Sequence, residues 1–233
     1  MVEPPESSPS HRLVSSQIEL VSLHIPKTAG TSFERSLREA YGAEHVVRVD
    51  ISKIARQTKI ILDQGRIEGT TLPPSTRVVH GHFSPALLKH HFAIPDETPF
   101  ITWVRDPVER VASSYYYLRE RIAKAIDQNA VGEDVLDRMQ RSLKEYARDP
   151  RHRNRMCKFL EGANIRDFDF VGCVDNYEAD LKEMARRYGW NAAEAHRDNA
   201  AATKYTISEE EREFISALNA EDTTLYRNAA LHH

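Results

Sequence analysis

The sequence predicts an α/β domain whose helices flank both faces of a mainly parallel central sheet, and three observations lead there. Short β-rich apolar runs alternate with segments of helical periodicity. Several runs are apolar without polar alternation, as strands covered on both faces are. Three of them break into polar turns, at Lys27, at His80 to Ser84 and at Arg105. In a parallel sheet such turns share the carboxyl edge, where ligands of α/β folds bind.

Glu19 to Ile25 forms the first strand, Pro26 and Gly30 mark a tight turn, and Phe33, Leu37 and Tyr41 recur at helical spacing. Thr31 and Glu34 have the form of a capping box. His45 to Asp50 is a short strand. Ser52 to Asp63, with Ile54, Ile61 and Leu62 among polar residues, reads as a helix ended by Gly65 and Gly69, with a loop to Ser75. Arg77 to Phe83 is a β-branched run closed by Ser84 and Pro85, and a brief helix follows to His91.

Phe100 to Val104 is the clearest buried strand. Asp106 suits an N-cap and Pro107 the first helical position. Val108, Val111, Ala112, Tyr115, Leu118 and Ile122 then mark one face of a long helix. Glu133 to Ala147 and Asn154 to Leu160 read as further helices, and Asp169 to Val174 as the last strand. Asn176 and Gly189 bracket a helix carrying Leu181, Met184, Ala185 and Tyr188. Asn191 to Tyr205 is polar and irregular. Ser208 and Glu211 open a helix with Phe214, Ile215 and Leu218, and a short segment over Asp222 to Ala229 follows.

The 233 residues, 40% of them hydrophobic, suffice for one domain over residues 18–233 behind a Pro-, Ser- and Glu-rich disordered tail over 1–17. A net charge of −3 gives no general reason to expect nucleic acid or an anionic membrane as partner. No apolar run approaches the ~18 residues of a membrane span. The tail lacks the apolar core of a signal peptide, so the expected location is cytoplasmic. Cys157 and Cys173 show no metal-ligand spacing and read as reduced core thiols. Oligomeric state leaves no mark on the sequence.

The loop from Pro26 to Ser32 runs from strand to helix N-terminus, where backbone N–H groups and the helix dipole favour a phosphate or sulfate. Lys27 adds a charge, and Thr28, Thr31 and Ser32 add hydroxyls. It is not a Walker A loop, because Lys27 precedes Gly30. A merely well-capped turn is the alternative. His80 and His82, at i and i+2 around Gly81, share one face of an extended segment and suit a general base and its helper. A metal site drawing on His90 and His91, or purely structural histidines, are the rivals. Arg105 can grip a phosphate bidentately, with Ser113 two turns into the next helix; a cap or salt bridge is the alternative.

His24-Ile25-Pro26-Lys27-Thr28-Ala29-Gly30-Thr31-Ser32 closely resembles the 5′-phosphosulfate loop of carbohydrate sulfotransferases, particularly those related to heparan sulfate 2-O-sulfotransferase. Val104 to Tyr115 resembles their 3′-phosphate segment, and His80-Gly81-His82 their catalytic histidine pair. Looser likeness extends to Phe170-Val171-Gly172 and to Asp222 to Tyr226.

The resemblance implies a P-loop-like sulfotransferase fold and sulfuryl transfer from 3′-phosphoadenosine 5′-phosphosulfate to an acceptor hydroxyl, of a carbohydrate or glycolipid, without a metal. It implies that Lys27 neutralises the leaving phosphate, while Thr28, Ala29, Gly30, Thr31 and Ser32 hold the 5′-phosphate. Arg105 and Ser113 hold the 3′-phosphate, and His80 or His82 takes the proton. Arg197 and Lys204 fall where relatives fold a late loop over the nucleotide. A non-catalytic nucleotide-binding regulator and a magnesium-dependent kinase or NTPase are the competing readings. The basic stretch from Arg138 to Lys158 suits either an anionic glycan or a solvated face.

Overall fold

A computed structural model of the chain describes residues 18–54, 57–63, 67–68, 71–127, 140–191 and 205–230. The tail over 1–17, and Arg197 and Lys204, lie outside the described residues. Among those described, seven strands form one sheet: β1 (Leu20–Leu23), β2 (Val46–Ile54), β3 (Gln57–Leu62), β4 (Ile67–Glu68), β5 (Val78–Gly81), β6 (Phe100–Val104) and β7 (Phe170–Cys173). Their order is β4-β3-β2-β5-β1-β6-β7. From β2 across to β7 every pairing is parallel, whereas β3 and β4 add an antiparallel edge. The protein is thus a single α/β domain with a mostly parallel sheet.

Helices fully within the described residues are α1 (Gly30–Tyr41), α2 (Pro85–His91), α3 (Pro107–Asp127), α4 (Leu143–Arg148), α5 (Arg155–Phe159), α6 (Tyr177–Tyr188), α7 (Glu209–Leu218) and α8 (Ala220–Ala230). Successive strand residues point to opposite faces, and the core divides accordingly. Val21, Val47, Val79 and Val104 pack with Leu88, Met156 and Ala229 of α2, α5 and α8. Leu20, Val46, Val78 and Trp103 pack with Phe33 and Leu37 of α1 and Leu181 and Met184 of α6. Each aliphatic side chain so buried contributes about 1.5–3 kcal/mol, which explains why β1, β5 and β6 are buried at every position. A third cluster, with Val111 and Tyr115 of α3, Leu143 and Tyr146 of α4 and Ile215 of α7, continues the core beyond the sheet. No described helix is long and apolar enough to cross a membrane.

The segment from Ser52 to Asp63 is not a helix. β2 runs on to Ile54 and pairs with β3 in an antiparallel ladder that sets Ile51 opposite Ile60. Ile60 and Leu62 are buried while Ile61 is only partly so. That alternation has the period of a strand, and the β-branched residues Thr58, Ile60 and Ile61 favour it. Of the helix expected over Glu133 to Ala147, the described part has Gln140 helical and α4 from Leu143, where Ser142 and Glu145 form a complete capping box. Residues 128–139 lie outside the described residues.

Candidate active site

Parallel pairing aligns the carboxyl ends of β1, β5 and β6: Leu23 lies opposite Gly81 on one side and Thr102 on the other. The loop bearing Lys27, the segment bearing His82 and the turn bearing Arg105 therefore leave the sheet along one edge. The expected convergence of these three turns is found.

The loop after β1 holds two non-glycine residues in left-handed conformations, Lys27 at φ 72° and Ala29 at φ 62°. Each costs on the order of 1–3 kcal/mol and persists only where neighbours impose it. The hydroxyl of Thr28 donates to the Ile25 carbonyl at 2.8 Å, and this bond fixes the turn between them. The Thr28 backbone N–H turns to the same carbonyl at 3.4 Å, so both donors of Thr28 are engaged within the loop and the donors left to an anion come from the residues after it. Alternating handedness in such a loop turns successive N–H groups towards one side, forming an anion-binding concavity. Ala29 occupies the N-cap of α1 and supplies no side-chain bond, so Thr31 and Glu34 do not form the expected capping box. Glu34 turns inward instead, accepting from Arg38 and from Arg48 of β2, at 3.0 Å each. Thr31 is exposed and Ser32 buried.

Lys27 is half-buried, with its ammonium 3.6 Å from the centre of the Tyr117 ring. Burial, then the nearby Arg105, lowers its pKa from the ordinary lysine value. One Arg105 nitrogen donates to the Lys27 carbonyl at 3.4 Å and the other to the Tyr205 hydroxyl at 3.3 Å. Tyr205 in turn stacks on Tyr116 with 4.5 Å between ring centres. Among the described residues no carboxylate lies within ion-pair distance of Lys27 or Arg105. The exposed Glu120 acts on Lys27 only at longer range, so among the described residues two half-buried cations stand side by side with no ion-pair partner, an arrangement suited to an anion. Ser113 is half-buried on α3, which begins behind Asp106; the Asp106 carboxylate accepts from the Glu109 N–H at 3.0 Å as an N-cap.

The histidines are three rather than two. His24, 7% exposed, stacks between His80 and His82 with ring centres 5.1 and 4.3 Å away. His80 is 1% exposed, with Nδ1 2.9 Å from the Ser22 hydroxyl, and burial pushes its pKa down to about 3. His82 is only partly buried. Its Nδ1 donates to the His24 carbonyl at 2.6 Å. A carbonyl only accepts, so the proton of the neutral ring sits on Nδ1 and Nε2 carries the lone pair. Burial lowers the His82 pKa, and Asp50 and the His24 carbonyl oppose that fall.

Gly30 explains how His24 fits. A Cβ at position 30 would lie 1.9 Å from the His24 ring, so only glycine lets α1 start over the stack. Gly81, at φ 151° with a built Cβ 2.0 Å from the Val49 carbonyl, is required by close approach of β2. Sequence reading passed over His24 as a member of the cluster, Asp50 as a partner of His82 and Tyr205 as a partner of Arg105. The Asp50 carboxylate accepts the His82 backbone N–H at 3.0 Å across 32 residues, a contact that strand register creates and no local pattern announces. Among the described residues, no group of three or more His, Cys, Asp or Glu is arranged to hold a metal ion.

A parallel sheet with a strained loop at a helix N-terminus, two cations with no ion-pair partner among the described residues and a tautomer-locked histidine at one edge has the layout of a group-transfer enzyme. The model of the Sulfotransferase family matches residues 10–227, and the chain belongs to that family. Family and architecture together support sulfuryl transfer in general and the P-loop-like sulfotransferase fold. Similar solved structures include a sulfotransferase from Alicyclobacillus acidocaldarius, at 15% identity and TM-score 0.44, covering 89% of this chain and 93% of that one. Another is mouse sulfotransferase SULT7A1 complexed with PAP, at 12% identity and TM-score 0.37, covering 89% of this chain and 68% of that one. No curated protein matches the sequence significantly.

Proposed function

We propose that the chain moves a sulfuryl group from 3′-phosphoadenosine 5′-phosphosulfate to an acceptor hydroxyl, with His82 as general base. The observation that carries this reading is the 2.6 Å bond from His82 Nδ1 to the His24 carbonyl, which leaves Nε2 free to take a proton at the anion-binding edge. The acceptor oxygen attacks sulfur in line, its proton passes to Nε2, and the sulfur–oxygen bond to the 5′-phosphate breaks, releasing 3′,5′-adenosine bisphosphate. His80, fully enclosed, acts as helper within the stack rather than as the base.

The donor is bound as a substrate. Backbone N–H groups over residues 29–32 cradle its 5′-phosphate at the α1 N-terminus, on a turn that Thr28 holds in shape. Lys27 leaves the Tyr117 ring, a contact worth about 0.5–2 kcal/mol, to neutralise the oxygen on which charge develops. Stabilising that charge by a fixed cation is the largest lever available to such a transfer. Arg105 and Ser113 hold the 3′-phosphate, and the resemblance assigns Arg197 and Lys204 to the nucleotide as well. A carbohydrate or glycolipid acceptor, as in enzymes related to heparan sulfate 2-O-sulfotransferase, and a cytoplasmic setting complete the proposal. Incubation with the donor and a panel of glycans, glycolipids, phenols and small alcohols tests it. Sulfated product with stoichiometric bisphosphate release is expected; no bisphosphate binding and no release with any acceptor would refute it.

A further inference from the structure

His82 is held from three sides. Its ring is fixed by the His24 carbonyl, its edge meets the Phe159 ring of α5 at 6.0 Å, and its main chain is pinned by β2. The β2 contacts are the Ile51 N–H, which donates to the His82 carbonyl at 2.7 Å, and the Asp50 carboxylate described above. The second Asp50 oxygen accepts from Arg48 at 3.1 Å, and Arg48 also pairs with the buried Glu34 of α1. A chain of ion pairs thus links the helix that follows the phosphate loop to the backbone of His82.

We propose that Asp50 is a positioning residue that keeps His82 basic enough to serve as the proton acceptor. Its carboxylate both fixes the His82 main chain and supplies the negative charge that an imidazolium needs in a half-buried site. This inference rests on the reading of His82 as the base. The other charged and titratable groups facing His82 are Arg48 on β2, Arg155 on α5, His24 after β1 and His80 on β5, two residues before it. Arg48 and Arg155 oppose a proton on His82, as does burial, and His24 and His80 are held neutral by burial. Asp50 is the carboxylate among these groups. Without it the lone pair stays in place while the imidazolium loses its counter-charge.

Asp50→Asn preserves an oxygen for the His82 N–H while removing the charge and, with it, the second acceptor that Arg48 uses. In the full chain with labelled histidines, nuclear magnetic resonance follows the His82 titration, assigned by its loss in His82→Gln. The acid limb of the transfer-rate profile is measured in parallel. Both midpoints are expected to fall together by roughly half a unit or more, with bisphosphate affinity unchanged. An unmoved His82 midpoint would overturn the role of Asp50. A midpoint that falls while the rate limb stays put would uphold Asp50 and overturn His82 as the base. Arg48→Gln reads the same effect with the opposite sign: the midpoint should rise, and a fall or no change would contradict the inference even if Asp50→Asn failed to fold.

Discussion

Gly30→Ala perturbs the seam between the phosphate loop and the histidine stack with a single methyl group. The added carbon would lie 1.9 Å from His24 Cδ2, 2.1 Å from Nε2 and 2.4 Å from Cγ, against the 3.4 Å or more of an ordinary contact. The ring has nowhere to retreat, since it is 7% exposed and flanked by His80 and His82. Overpacking of this kind costs about 1–3 kcal/mol. Alanine recovers up to about 1 kcal/mol of helix propensity in a helix interior, and less at the first position. The expected net loss is about 1–2 kcal/mol, a fall in melting temperature of roughly 2–8 °C for a chain of this size. Turnover should suffer more than stability, because residue 24 also carries the carbonyl that sets the His82 tautomer. Thermal melts by circular dichroism and initial rates at saturating donor measure the two effects. An unchanged melting temperature with an unchanged rate would refute the coupling of loop and stack.

On the proposed reading Arg105 holds the 3′-phosphate, so Arg105→Ala should weaken calorimetric binding of 3′,5′-adenosine bisphosphate by about 1.5–3 kcal/mol; an unaltered dissociation constant would remove Arg105 from the site. Stability should also fall on acidification. His80 binds its proton only near pH 3 when folded but near ~6.5 when unfolded, so its full contribution is present above ~6.5 and is lost as pH falls towards 3, at up to about 1.4 kcal/mol per pH unit. Urea midpoints between pH 7 and 5 should drop more steeply for the wild type than for His80→Gln, and parallel slopes would contradict the burial of a neutral His80.

Legibility in the sequence followed the range of the interactions. Strands β1, β5 and β6 were readable because burial on both faces leaves short, mostly apolar and β-rich runs without regular polar alternation, and α3 because Asp106, Pro107 and its apolar stripe are local signals. The hairpin of β2 and β3 was misread: Ile54, Ile61 and Leu62 satisfy a helical period, and only cross-strand pairing with β2 decides otherwise. Thr31 and Glu34 had the spacing of a capping box, but Arg38 and Arg48 offer Glu34 two charged partners, which outweigh one backbone N–H. Lys27, His82 and Arg105 could be placed at one sheet edge because each follows a recognisable strand. His24 and Asp50 were not, because parallel register alone brings them to His82.

Sulfuryl transfer with His82 as the proton acceptor, as proposed, is tested most directly by comparing wild type and His82→Ala in one donor-saturated assay read by mass spectrometry of the acceptor. Expected are sulfated product from the wild type, a loss of at least about 100-fold in rate for the variant, and near-equal bisphosphate affinity for both. Near-normal transfer by His82→Ala with its nucleotide affinity intact would contradict it.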